Sequence, residues 1–445
     1  MNPIPKILII SATQVDREPR VIRQYESLVK NGFQVVVAGY NLNEQKKIFG
    51  GNFISLNPIR SSIRSLKHEL TSKTKTSQKF FILSKLSQEY AKRIKERVVI
   101  GLANTWFNNS ARFHSNYIDN FILEFYAKYS GMQSSEIINL IREYIFSIEN
   151  CQFNYIISHD YQTAFAGNLI AKEFNALSIV DFHEHPLSQY NWDPKWQKFN
   201  RLIWALNSRI VKDADKFIFV SNGIKELMKN EFRISESETF VVRSMPNYEE
   251  LRIEECNCED FSIVYVGNIV VERGLERGIE MLGRLPKFYS LYIQGYGEPV
   301  YIENLKKIAR QNSCEDRLHF IDPVPFKDIV KSISKFDFGY YVCENFGPQR
   351  DYSLPNKFFQ YIMAGLCVIT SNFNEISGLI NEFRCGVIVS SDEPSGIAET
   401  ISGIDRLQLA SFKNNSIQAS KVLCWENEEK QLLRIFSLPT KGDVS

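Results

Sequence analysis

Short apolar runs alternate with amphipathic stretches along most of the chain. The run at residues 6–11 is followed by a helical pattern over 19–31 that stops at Gly32, and the next run begins at Gln34. Further runs of strand length lie at 34–38, 155–158, 177–181, 216–220, 240–242, 262–266, 290–294, 318–321, 338–342, 367–370 and 386–389. Strands that are apolar throughout and separated by helices are typical of parallel sheets covered on both faces. The pattern therefore predicts an α/β fold.

The strands fall into two successive sets, and the second set begins after Pro246 and Asn247. Because 445 residues are too many for one compact core, we expect two doubly wound, Rossmann-like domains at 1–246 and 247–422, facing each other across a cleft. The helix and tail at 423–445 are expected to pack back on the first domain. Ligands of such sheets bind at the carboxyl ends of the strands.

A helical insertion at about 57–130 interrupts the first domain and carries an uneven charge. Between Arg60 and Arg97 there are eleven lysines and arginines against three glutamates, with apolar residues interleaved. Basic amphipathic helices of this kind bind anionic membrane surfaces. The alternative is a solvated helical excursion packed on its own domain.

The remaining composition describes an ordinary globular protein. A formal net charge of +2 gives no field for nucleic-acid binding, and no apolar run approaches the roughly 18 residues of a spanning helix. The eight cysteines show no ligand spacing, which favours reduced thiols in the cytoplasm. We therefore expect a cytoplasmic protein, with the basic insertion as its candidate contact with the inner membrane face.

One predicted helix places a cation at its own positive end. It is expected to begin near Leu354, with Ser353 as N-cap and Pro355 in the first turn, so that Lys357 faces the helix dipole. This placement costs roughly 0.3–1 kcal/mol unless an anion occupies the free N–H groups. Gln360, three residues later, shares the face of Lys357. The alternative is a solvated lysine on an ordinary helix.

Arg273 stands in the same position before a helix predicted from about Leu275. Gly267 and Gly274 allow the backbone to approach a ligand, and the turn at 294–297 adds Gly295 and Gly297. Two cations at two helix starts in one domain predict a diphosphate site.

Histidines and carboxylates follow two strands of the first domain. His159 and Asp160 end one strand, and His183 and Glu184 follow the next. Such side chains hydrogen-bond a sugar, transfer protons or position an acceptor hydroxyl, although a structural role is the commoner one for a single histidine. A zinc site at 183–185 is not expected, because neighbouring strand residues point to opposite faces. The one Asp-x-Asp, at 213–215, is interpreted as a solvated turn at the far end of the sheet.

Four segments together resemble a known family. They read HDYQTAFAGNLIAKEFNALSIVDFHE, IVYVGNIVVERGLERGIEML, LYIQGYGEP and SLPNKFFQYIMAGLCVI, and a helix opening at Trp425 follows them. In this order they resemble the GT-B-fold glycosyltransferases of family 4, also called glycosyltransferase group 1. The resemblance implies transfer, with retention, of a sugar from a UDP- or GDP-sugar in the second domain to a glycan or lipid-linked acceptor in the first.

The resemblance also implies a set of site residues and no cofactor or metal ion. Arg273 and Lys357 would contact the diphosphate, and His159 would reach the donor sugar. The expected catalytic group is His159, Asp160, His183 and Glu184, and the expected donor-binding group is Gly267, Asn268, Arg273, Gly295, Gly297, Tyr352, Ser353, Leu354, Asn356, Lys357 and Gln360.

The sequence departs from the family pattern at three places. Asn268 stands where the family often has an arginine, and Tyr352 and Gln360 stand where it has two glutamates. The glycine-rich turn after the first strand is missing, with Arg17 and Arg20 as possible substitutes. Two other functions stay open: a nucleotide-sugar epimerase of the same fold, and a non-catalytic nucleotide-sugar-binding partner subunit.

Overall fold

The structure is a computed structural model that describes residues 4–15, 18–40, 48–49, 52–55, 152–189, 200–251 and 260–436. The basic insertion at 57–130 and Arg17 lie outside the described residues. The strands are β1 (Lys6–Gln14), β2 (Gln34–Tyr40), β3 (Phe53–Ser55), β4 (Tyr155–His159), β5 (Leu177–Phe182), β6 (Lys216–Phe219), β7 (Thr239–Val241), β8 (Phe261–Val266), β9 (Tyr289–Gln294), β10 (Leu318–Ile321), β11 (Phe338–Tyr341), β12 (Cys367–Thr370) and β13 (Gly386–Ile388).

Helices separate most of the described strands. They are α1 (Pro19–Lys30), α2 (Asp160–Phe174), α3 (Asn200–Asp213), α4 (Asn222–Phe232), α5 (Leu275–Arg284), α6 (Pro299–Gln311), α7 (Ile329–Ile333), α8 (Pro348–Tyr352), α9 (Asn356–Met363), α10 (Asn374–Phe383), α11 (Pro394–Ser402), α12 (Arg406–Ser420) and α13 (Trp425–Arg434). None of the described helices is long and apolar enough to cross a membrane.

Two parallel sheets carry the fold, as the apolar runs predict. The first has the order β3-β2-β1-β4-β5-β6-β7 and the second the order β10-β9-β8-β11-β12-β13. In each sheet the strand order reverses beside the first strand of the set, between β1 and β4 and between β8 and β11. This reversal is the position at which doubly wound sheets bind ligands.

Alternate residues of β8 enter two different cores, which is why the strand reads as continuously apolar. Ile263 and Tyr265 pack in a core with α5 and α6, whereas Val264 and Val266 pack in a core with α9. Helices therefore cover both faces of the second sheet, the arrangement expected of buried parallel strands.

The chain forms two compact units. The first comprises Met1–Asp16, Val29–Asp181 and Pro186–Lys216, and the second Arg17–Leu28, Phe182–His185 and Phe217–Ser445. Helices α1 and α13 thus belong to the same unit, where Trp425 Nε1 donates a hydrogen bond to Ser27 Oγ at 2.8 Å.

The segment before α9 differs from the sequence prediction. Ser353 is not the N-cap of the helix that carries Lys357: it ends the preceding helix α8, and its hydroxyl donates to the Arg350 carbonyl at 3.3 Å. Helix α9 is preceded by Pro355 in extended conformation and has no side-chain cap. The five-residue helix α8 was not predicted, because so short a segment shows no clear periodicity.

Candidate active site

The carboxyl ends of β8 and β11 diverge in the second sheet. The two strands pair only at Phe338 with Ile263 and at Gly339 with Val264. Beyond that point the hydroxyl of Tyr361 lies between them, where it accepts a hydrogen bond from Val266 N and donates one to the Tyr340 carbonyl, both at 3.1 Å. A side chain of α9 thus replaces the next rung of strand pairing and separates the strand ends.

Lys357 lies at this opening, in the first turn of α9 as predicted. Its Nζ is 3.9 Å from the ring centroid of Tyr265 and 5.7 Å from that of Tyr341. A Cβ on Gly267 would lie 3.1 Å from the same Nζ. Burial lowers the pKa of Lys357 well below its usual value, and the positive charge of Arg273 lowers it further. The ammonium is therefore placed at a cost to the unliganded protein.

Arg273 precedes α5 in a loop that packs against the end of β11. Gly274, at φ 71°, is the N-cap of α5, and a Cβ there would lie 1.9 Å from the Val342 carbonyl oxygen. The hydroxyl of Tyr340 donates to the Gly274 carbonyl at 3.1 Å. Glycine is required both for the left-handed backbone and for the contact, and the contact fixes Arg273 near the strand ends.

The loops after β8 and β9 are packed together through their glycines. Gly267 N donates to the Gln294 carbonyl at 3.0 Å, and a Cβ on Gly295 would lie 1.8 Å from the Gly267 carbonyl oxygen. A Cβ on Gly297 would likewise lie 2.7 Å from Ile269 Cβ. Exposed Asn268 follows Gly267, and its carbonyl accepts from the Tyr265 hydroxyl at 2.8 Å.

Among the residues expected to bind the sugar donor, Gln360 has a buried side-chain amide without a hydrogen-bond partner in the part of the chain that the structure describes. Its side chain is 3% exposed, and its Nε2 is buried without a hydrogen-bond partner among the described residues. A buried amide N–H without a partner destabilises the fold, and a hydrogen bond to an acceptor on a ligand would remove this cost. Gln360 lies one turn after Lys357, as the sequence predicts.

The other candidates near α9 have mainly structural contacts. Leu354 is buried in the apolar core, and Asn356 is the half-buried first residue of α9. The ring of Tyr352 lies against Gly223, where a Cβ would be 2.2 Å from it, and its carbonyl accepts from Ser221 Oγ at 2.6 Å.

His159 lies at the end of β4 in the first unit. Its Nδ1 is 3.7 Å from Asp181 Oδ2 on β5, and both side chains are buried. Thr163 Oγ1 donates to the His159 carbonyl at 2.7 Å. Asp160 begins α2 with a left-handed φ of 60°. The strand end therefore brings His159 together with a carboxylate from the neighbouring strand.

His183 and Glu184 are half-buried and fall in the second compact unit with His185. His185 N donates to Gln349 Oε1 at 2.6 Å. Burial lowers the pKa of His185 to about 4, so this imidazole is neutral at neutral pH.

Two minor sequence interpretations are corrected. The Asp-x-Asp is not a solvated turn, because Asp213 pairs with Lys172 at 3.2 Å and Asp215 accepts from Ser178 N at 2.9 Å. Arg20 is 2% exposed and donates to the Val242 carbonyl at 2.8 Å, so it is not available as a phosphate contact.

Three side chains at this opening were not identified from the sequence. Tyr265 and Tyr361 read as ordinary strand and helix core positions. Arg350 lies on the unpredicted helix α8, and its Nη1 donates to Cys343 Sγ at 3.1 Å. The available signal for Arg350 is Pro348, which favours a helix start.

Two family models match the chain. One, described as Glycosyltransferase Family 4, matches residues 86–244, and the other, described as Glycosyl transferases group 1, matches residues 260–404. Together they cover more than half of the sequence. A comparison with curated proteins finds no match.

Solved structures of similar fold match nearly the whole length of the chain. Sucrose-phosphate synthase from Thermosynechococcus elongatus shares 13% identity at a TM-score of 0.66, covering 97% of this chain and 98% of that one. Anabaena HepE in complex with UDP and glucose shares 11% identity at a TM-score of 0.63, with 97% and 99% covered. An E. coli structure described as trehalose-6-phosphate bound with UDP-2-fluoro glucose shares 11% identity at a TM-score of 0.61, with 98% of this chain and 100% of that one covered.

The structural similarity supports the fold, and the family models support the kind of enzyme. Both agree with the two parallel sheets and with the segments in which the resemblance was found. The chain belongs to the group 1, family 4 glycosyltransferases and has the GT-B fold.

Proposed function

We propose that this glycosyltransferase transfers a hexose from a UDP- or GDP-sugar to a hydroxyl of a glycan or lipid-linked acceptor, with retention of configuration and without a metal ion. Surface polysaccharide synthesis is the proposed setting, in the cytoplasm or at the inner membrane face. The observation that carries the proposal is the ammonium of Lys357, which is held at the reversal of the second sheet beside a second cation, Arg273.

A diphosphate explains why these cations are placed there. Burial and the charge of Arg273 both disfavour the Lys357 ammonium, and a diphosphate would compensate for both. The N-terminal N–H groups of α9 lie next to Lys357 and favour an anion as well. The UDP and UDP-2-fluoro glucose held by proteins of the same fold support this ligand class.

The proposed chemistry divides the residues by role. The bond between the anomeric carbon and the diphosphate breaks, its electron pair stays on the diphosphate, and a new bond forms to the acceptor oxygen. Arg273 and Lys357 stabilise the charge that develops on the leaving group, which is electrostatic catalysis by fixed cations. His159 hydrogen-bonds the donor sugar, and Asp160, His183 and Glu184 position the acceptor, whose proton passes to the released diphosphate.

Lys357→Ala tests the proposal. The variant should bind UDP or GDP roughly tenfold or more weakly by titration calorimetry, because it loses a charge-assisted hydrogen bond worth about 1.5–3 kcal/mol. Its sugar transfer to pooled acceptors should fall with it. Lys306→Ala, a surface lysine paired with Glu303 at 2.7 Å, is the matched control and should leave both unchanged.

Although Lys357→Ala should bind nucleotide more weakly, its unliganded fold should be more stable than that of the wild type. Because the folded-state pKa of Lys357 is lowered, the ammonium destabilises the fold at neutral pH, and this penalty disappears as pH rises towards 10.5. Lys357→Ala should therefore melt at a higher temperature than the wild type at pH 7, with a smaller difference near pH 10. Unchanged binding and unchanged rate would leave Lys357 as an ordinary helix residue.

The same assays separate the alternatives. An epimerase would convert the donor without any acceptor, which product analysis with donor alone detects. A non-catalytic partner subunit would bind a nucleotide sugar, with a stabilisation of about 2.7 kcal/mol at 100 times its dissociation constant, and would neither transfer nor hydrolyse it.

A further inference from the structure

Arg350 is a third cation at the opening between β8 and β11. It lies on α8, and besides the contact with Cys343 Sγ at 3.1 Å its guanidinium interacts with the side chain of Tyr341. The ring of Tyr341 is 5.7 Å from Lys357 Nζ. Arg350 and Lys357 thus reach the same side chain from two different helices.

The loop that carries Arg273 packs against the chain just after β11, next to the contacts of Arg350 and Lys357. A Cβ on Gly274 would lie 1.9 Å from the Val342 carbonyl oxygen and 3.2 Å from Cys343 Cα. The backbone that follows Arg273 therefore packs against Cys343, which accepts the hydrogen bond from Arg350. Three cations from three separate segments converge on the ends of the two central strands of this sheet.

The charges of these groups act on one another. Arg273 and Arg350 both lower the pKa of Lys357, after the larger effect of burial. The acidic neighbour is Glu272, whose pKa is raised by burial while Arg350 and Arg273 oppose the shift. A raised pKa favours the neutral form of this carboxyl, so Glu272 alone does not balance three positive groups. A diphosphate carries negative charge on several oxygens and balances them better.

The position of Arg350 is fixed independently of any ligand. On one side of it, Gln349 Oε1 accepts from His185 N at 2.6 Å. On the other side, Asp351 accepts from Asn374 N at 3.1 Å and from Asn374 Nδ2 at 2.6 Å. Both neighbours of Arg350 are therefore anchored to other elements of the second unit, and the guanidinium is held in place before a ligand arrives.

We propose that the guanidinium of Arg350 binds the donor diphosphate together with Arg273 and Lys357. This inference rests on the proposed function and adds a residue from a helix that carries no other candidate cation. The planar fork of an arginine bonds two phosphate oxygens at once, which lysine cannot do, so Arg350 would fix the orientation of the diphosphate as well as its charge.

The test compares nucleoside diphosphates with monophosphates. UDP, GDP, UMP and GMP are titrated into the wild type, Arg350→Gln and Arg350→Lys. For the base that the wild type prefers, Arg350→Gln should weaken diphosphate binding roughly tenfold or more and reduce the preference for diphosphate over monophosphate. Arg350→Lys, which keeps the charge and loses the fork, should fall between the two.

Arg277→Gln is the matched control, because Arg277 pairs with Glu344 at 3.4 Å outside the cluster. It should bind all four nucleotides as the wild type does. Without ligand, Arg350→Gln loses the contact with Cys343 Sγ as well as a like charge beside Lys357, so its melting temperature should stay close to that of the wild type.

The outcomes separate the two proposals. A wild type that binds none of the four nucleotides contradicts the proposed function itself. A wild type that binds a diphosphate no more tightly than Arg350→Gln does contradicts only the inference about Arg350. An equal loss of diphosphate and monophosphate binding together with a lower melting temperature would show that Arg350 is structural and would also overturn the inference.

Discussion

The buried amide of Gln360 is a single-residue test of where the nucleotide lies. Its Nε2 has no partner among the described residues, so Gln360→Met, which keeps the approximate volume, should stabilise the unliganded fold by about 1 kcal/mol. The same variant should bind UDP or GDP less tightly, because it cannot donate to the ribose. Chemical denaturation and calorimetry measure the two effects. A variant with unchanged affinity would place the nucleotide away from Gln360.

The variant Gln360→Glu tests whether the ribose or a phosphate of the nucleotide lies next to residue 360. A carboxylate accepts from both ribose hydroxyls and should keep or raise nucleotide affinity. Next to a phosphate it would be repelled, and affinity would fall.

At this scale the sequence predicted what local chemistry determines. Lys357 in the first turn of one helix and Arg273 just before another follow from short-range patterns, and both positions are confirmed. The cap at Ser353 was wrong, because Ser353 belongs to the end of α8 and Pro355 takes the position before α9. Arg350 was not identified, because the five-residue helix that carries it shows no clear periodicity and its link to Lys357 runs through the side chain of Tyr341 on β11.

Helix α9 carries the cation Lys357, the amide of Gln360 and Tyr361, which separates the ends of β8 and β11 like a wedge. The wedge is Tyr361, whose ring packs on Gly339, where a Cβ would lie 2.3 Å from it. Tyr361→Phe should destabilise the protein by about 1–3 kcal/mol, because Val266 N is then left buried without an acceptor. Denaturant unfolding measures the loss, and Tyr248→Phe, at a 38% exposed position, should change stability by less than about 0.5 kcal/mol. Equal stabilities of Tyr361→Phe and the wild type would show that the hydroxyl does not bridge the strands.

Most strands could be predicted because their apolar residues form runs of strand length, and the central strands of both sheets are buried on both faces. The β8 run illustrates the reason, since its alternate residues enter two cores. Strand β3 and helix α8 were missed because three and five residues give too little pattern. The opening between β8 and β11 could not be predicted either, because it depends on a hydroxyl that reaches the strands from α9.

For the molecule as a whole, the α/β class, the GT-B fold and the family were accessible from the sequence. The composition of the compact units was not, because α1 joins the second unit through contacts with residues more than 200 positions away. Ser27 and Trp425 form one of them. The domain boundaries at 246 and 422 stay a prediction, as do the roles of the individual site residues.

The basic insertion supplies the prediction that concerns the whole molecule. It lies outside the described residues, and its eleven lysines and arginines against three glutamates between Arg60 and Arg97 predict binding to an anionic membrane surface. The protein should sediment with anionic vesicles at low salt and be released as salt rises, because surface charges are screened beyond about 8 Å at physiological ionic strength.

Replacing the lysines and arginines at 73–95 with glutamine should abolish vesicle binding and leave nucleotide affinity unchanged, because nucleotide binding is assigned to the second unit. Replacing an equal number of exposed lysines and arginines in that unit, away from the candidate site, is the matched control and should leave vesicle binding intact. Binding to neutral vesicles as strong as to anionic ones would contradict an electrostatic contact, and binding to neither would favour an insertion that packs on its own domain. A protein that binds anionic vesicles through this segment would meet a lipid-linked acceptor at the surface where that acceptor is held.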